Sequence, residues 1–128
     1  MGLTGYITIL VVVVYLGFEL FGLHKARDRM EPGYVFNEFV GARRAAEACG
    51  VKDSQKAAFE RNFVAVKARA LDALLAAEPD TDAAALLATR EQAREAEVDA
   101  LIAAQSCGGK EVWRLLKLHE IRSNLDLR

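Results

Sequence analysis

Cys49 and Cys107 are the residues best placed for covalent chemistry with each other. Each closes a stretch of helical periodicity and each precedes a glycine, in EACG and QSCG. In an up-down-up bundle the first and third helices run parallel, so their C-terminal ends fall together. A Cα separation of about 5.5 Å is then within reach, and the pair reads as a disulfide. Two unrelated thiols, packed as small hydrophobes, are the alternative.

Other chemistries need partners that the spacing does not supply. Only His24 and His119 could join the cysteines around zinc, and neither C-x₂-C nor H-x₃₋₅-H occurs. A C-x-x-C-H haem attachment site is missing as well. A nucleophilic pair of Cys107 and His119 has no supporting motif. The acids mostly interleave with bases: Glu91, Arg94 and Glu95; Glu60 and Arg61; Lys67 and Asp72. That is the spacing of solvated helix faces, and Arg43-Arg44 reads the same way. No catalytic residue, metal, cofactor or small-molecule substrate is expected, and the chain does not read as an enzyme.

The positions that suggest partners lie elsewhere. Leu3 to Phe18 carries no charge. Continued to Leu23, the segment is long enough to cross a bilayer, which takes about 20 apolar residues. It lacks the basic start and the A-x-A site of a cleavable signal, so a retained anchor is expected. Glu19 is its one ionisable side chain. A charge near a helix end reaches the interface readily, and pairing with another membrane subunit is the functional alternative. Gly17 and Gly22 would let a neighbouring helix approach closely. On the fourth predicted helix, Trp113 is expected in the core, with a docking stripe as the alternative. Glu19, Gly17, Gly22 and Trp113 are therefore the partner-binding candidates.

The elements that must position these residues are helical. Alanine is abundant, and β-branched runs are confined to the apolar segment. Residues 1–31 are expected to form the anchor helix and a juxtamembrane extension ended by Pro32-Gly33. Residues 32–128 are expected to form one small up-down bundle. The periodicity predicts helices over Tyr34–Cys49, Ser54–Ala77, Asp82–Ser106 and Lys110–Arg122. Ser54 and Asp82 are candidate N-caps, and Gly50 and Gly108-Gly109 are stops. Phe36, Phe39, Val40 and Ala46 form the first apolar stripe, and Phe59, Phe63, Val66, Ala70 and Leu74 the second. Leu86, Leu87, Ala93, Val98, Leu101 and Ile102 form the third, around the polar TREQAREAE. Val112, Trp113, Leu115, Leu116 and Leu118 give the last helix a wide apolar arc.

Charge narrows the function classes. The 128-residue chain has 17 basic and 18 acidic residues. Glu19 is the only charge before His24, so the rest is neutral and offers no footprint for nucleic acid. Lys25, Arg27 and Arg29 after the apolar segment favour a cytoplasmic domain by the positive-inside rule. A disulfide favours an oxidising compartment, which in a bacterium is the periplasm. The cysteine placement tips the expectation to a bacterial inner-membrane protein with a periplasmic domain. The expected role is a non-catalytic accessory subunit of a larger membrane complex, respiratory or photosynthetic. A cytoplasmic-facing scaffold or assembly factor with reduced cysteines is the alternative.

Overall fold

A computed structural model of the chain describes residues 32–127. The expected anchor, with Gly17, Glu19, Gly22 and His24, lies outside the described residues. Within them no helix is long and apolar enough to cross a membrane.

The described chain is all-helical: α1 (Pro32–Cys49), α2 (Asp53–Ala77), α3 (Ala83–Gln105) and α4 (Lys110–Ser123). Pro32 and Gly33 are helical residues of α1, where the sequence predicts a break. Lys52, not Ser54, is the N-cap of α2, and it makes no side-chain cap bond. Asp82 caps α3 as expected, its carboxylate accepting from the Ala85 amide at 3.2 Å. Gly50 takes φ 87° after α1, and its amide donates to the Ala46 carbonyl at 2.8 Å. After α3 that left-handed role falls to Ser106, at φ 61°, and not to Gly108 or Gly109. Gly109 instead caps the start of α4.

The pairs between helices fix their directions. Phe39 meets Phe59 and Phe36 meets Phe63, so α1 and α2 are antiparallel. Arg44 reaches Asp99 and Cys49 reaches Cys107, so α1 and α3 are parallel. Gln55 meets His119 and Asn62 meets Leu125, so α2 and α4 are parallel. This is the expected up-down-up-down bundle, and every pair of its helices is in contact.

The core falls into two parts. Phe36, Phe39, Val40, Ala42, Phe59, Phe63, Val66, Ala70 and Leu87 form the larger. Ala45, Val98 and Leu115 form a small one nearer the C-terminal ends of α1 and α3. Ala93 is exposed, one position short of the α3 face that meets α1. The Cys49–Cys107 bond, with Cα atoms 5.7 Å apart, spans a sequence separation of 58. In the chain-entropy account, closing a loop of that length stabilises a domain by about 4 kcal/mol.

Ser106 combines φ 61° with ψ 179°, a region that costs a non-glycine residue about 1–3 kcal/mol. Glycine enters it freely but loses more entropy on folding. Ser106→Gly is therefore expected to stabilise the protein by about 1 kcal/mol. Denaturant melts of the oxidised full-length chain would check this. An unchanged or lower midpoint would show that Ser106 carries no strain.

Candidate functional site

Two arrangements of polar groups and one exposed face stand out from the bundle. The first arrangement is an ion-pair seam where α1 meets α2 and α3. The Arg43 Nε donates to Glu60 at 2.7 Å, and its guanidinium pairs with Glu91 at 3.6 Å. The same group lies 4.5 Å above the Phe63 ring. Arg44 grips Asp99 with two bonds, of 2.8 and 2.9 Å, and reaches Glu95 at 3.4 Å. Arg43-Arg44 is thus not merely a solvated face. The two arginines occupy the seams because the neighbouring positions of α1 are filled by the core. The bond from Arg44 holds the Asp99 carboxyl below its ordinary range, against a smaller opposing effect of desolvation. A paired acid held below its ordinary range links helices and is poorly suited to moving protons near neutral pH.

Arg94 closes the same seam. A Cβ at Gly41 would come within 2.8 Å of its guanidinium, so a larger residue there would make the Arg94 side chain shift. Arg94 also pairs with Glu97 at 2.9 Å. An isolated glycine inside a helical pattern was the available signal for this close approach.

The second arrangement is buried between α2 and α4. His119 is 1% exposed and stacks on Phe59 with ring centroids 4.0 Å apart. The Gln55 amide nitrogen lies 2.8 Å from His119 Nδ1. An amide nitrogen only donates, so Nδ1 accepts and the ring proton sits on Nε2. Seven residues along α2 from Gln55, the buried Asn62 donates to the carbonyls of Arg122 at 2.7 Å and Leu125 at 2.8 Å. It ties down the end of α4 and the tail beyond it. Nothing in residue type alone marked Gln55 or Asn62, although Asn62 interrupts the apolar stripe of α2. Beside the tail an open cleft of about 800 Å³ has Arg61 and Asp126 as its charged lining.

The exposed face belongs to α4. Val112, Leu115, His119 and Ser123 turn inward. Trp113 is one residue past Val112, about 100° around the helix. It is 61% exposed, which overturns the expectation that it packs in the core. Lys117 and the half-exposed Ile121 follow it at successive four-residue steps, with Lys110 and Arg114 alongside.

The sequence-predicted residues thus separate. Cys49 and Cys107 come together, and Cys107 has no thiol left for a pair with His119. Among the described residues no group of histidine, cysteine and acid side chains could hold a metal ion. The chain matches no family model, and neither a curated protein nor a solved structure shows significant similarity to it.

Desolvation lowers the His119 pKa from its ordinary 6.5, with Lys56 adding to the effect and Glu60 opposing it. A depressed histidine pKa stabilises the fold fully above the unfolded-state value and loses that contribution as pH falls towards the folded one. Protonation at Nδ1 would also set it against the Gln55 donor. Stability should therefore decline below about pH 6.5, by at most about 1.4 kcal/mol per pH unit from this group. His119→Phe keeps the stack and removes the proton site. Denaturant melts between pH 5 and 7, conditions chosen to bracket that value, should show a shallower slope for the variant. Equal slopes would exclude His119 as the source.

Proposed function

We infer that this protein is a non-catalytic, single-pass accessory subunit of a larger integral membrane complex, respiratory or photosynthetic. Its bundle stands on the periplasmic side, where it covers the complex or docks a partner. One observation carries the reading: an uncharged apolar run, Leu3 to Phe18, precedes a bundle closed by the Cys49–Cys107 bond. The run supports a bilayer anchor. The bond supports an oxidising compartment. The exposed Trp113 adds the residue type that most often anchors a protein interface, with Lys110, Arg114 and Lys117 beside it. Arg114 and Lys117 are partly engaged already, by Glu111 at 3.8 Å and Glu120 at 3.3 Å.

A cytoplasmic-facing scaffold is the second reading, favoured by Lys25, Arg27 and Arg29 directly after the apolar run. Labelling the reduced cysteines with an impermeant thiol reagent from each side of the membrane separates the two.

Two changes to the tagged chain test recruitment after mild-detergent purification. Trp113→Ala should leave folding stability within about 0.5 kcal/mol, as exposed positions do. It should cut the partner recovered per chain about tenfold, the loss of about 1.4 kcal/mol expected of an interface anchor. Replacing Leu3–Leu23 by an unrelated apolar helix should keep the chain in the membrane and lose the complex. Full partner recovery after either change would show that the altered element does not recruit the complex, and an unaltered chain that brings down no membrane protein would reject the accessory-subunit reading.

A further inference from the structure

The bundle is unevenly filled from end to end. Phe36, Phe39, Phe59 and Phe63 stack through one cluster, which takes in Val66, Ala70 and Leu87. Towards the other end the buried side chains are smaller, Ala45, Ala46, Val98, Val112 and Leu115, with Leu101, Ile102 and Leu116 half-buried around them. The Cys49–Cys107 bond lies across that thin end. Cys107 is exposed and Cys49 half-buried.

The chain around Cys107 is held by few contacts. Ser106, at φ 61° and ψ 179°, donates its amide to the Ile102 carbonyl at 2.8 Å and accepts from the Gly109 amide at 3.2 Å. Gln105 accepts the Glu111 amide at 3.3 Å and so supports the first turn of α4. A backbone in so sparsely populated a region persists only while its surroundings impose it. The covalent link at the next residue is the strongest of those surroundings.

We propose that the Cys49–Cys107 disulfide is a reducible latch: a dithiol reductant opens it in the folded protein, residues 101–113 loosen, and the aromatic end stays packed. One thiolate of the dithiol attacks Sγ of the exposed Cys107 and forms a mixed disulfide. The Cys49 Sγ leaves as a thiolate and takes up a proton. The second thiolate of the reductant then attacks its own sulfur in the mixed disulfide and releases Cys107, which is protonated in turn. Two electrons pass to the cystine, which becomes two thiols, and the dithiol becomes a disulfide. Ser106 then relaxes, and the turn that leads into α4 loses its fixed point. Phe36, Phe39, Phe59 and Phe63 keep their contacts with one another throughout.

Hydrogen exchange read by mass spectrometry tests this on the full-length chain in detergent micelles. The oxidised protein is compared with protein treated with dithiothreitol without denaturant. The expected result is complete reduction, with exchange in residues 101–113 faster by about tenfold or more, as for a local opening. Peptides covering residues 36–40 and 59–66 should keep their protection. A double variant, Cys49→Ala with Cys107→Ala, should exchange like the reduced protein whether or not dithiothreitol is present. Three outcomes would overturn the proposal. One is a bond that resists the dithiol until denaturant is added. Another is a loss of protection in all segments together, which would make the bond a global staple. The third is protection of residues 101–113 in the double variant equal to that of the oxidised protein.

Discussion

Each helix of the bundle touches the other three, and α1 does so most extensively, which leaves it the least circumference for solvent. It packs against α2, α3 and α4, and it buries Phe36, Phe39, Val40, Gly41, Ala42, Ala45 and Ala46. The large residues among these meet the phenylalanines of α2. The small ones let the other helices close in. Most other features of the bundle answer to this constraint. Gly41 leaves space for the Arg94 guanidinium, and Ala45 sits in the small cluster with Val98 and Leu115.

Charge has been pushed into the seams by the same crowding. Arg43 covers Phe63, and Arg122 lies 5.6 Å from the Phe39 ring centre while it reaches Glu38 at 3.5 Å. Both arginines combine an apolar contact through the flat guanidinium with an acid on another helix, a pairing that lysine makes poorly. Individually, half-exposed ion pairs contribute little to stability. Together they restrict which helix faces can meet, and so they select the register of α1 against α2 and α3.

Periodicity made the four helices legible, together with most of their inward residues. Phe36, Phe39, Phe59, Phe63 and Val98 recur at helical spacing, and that spacing survives folding because burial rewards it. The disulfide was legible for a topological reason, since parallel helices bring like ends together. Seam chemistry was less accessible. Glu60 and Glu91 look like members of within-helix pairs, and their actual partner, Arg43, is settled by how two helices cross. His119 and Trp113 show the same weakness in opposite directions. A residue type gives an average preference for interior or surface, and a rotation of about 100° between neighbours on α4 reverses it. Ser106 in a left-handed conformation was also hidden, because the two glycines that follow it invite that assignment.

The exposed position of Trp113 has an optical consequence. It is the only tryptophan in the chain. An indole on the surface of the folded domain already emits from a watery environment, and its surroundings change little when the helices separate. Intrinsic fluorescence is therefore a poor gauge of whether this bundle is folded. It is a sensitive gauge of anything that settles over α4, because excluding water from that one ring would shift the whole tryptophan emission of the protein to the blue.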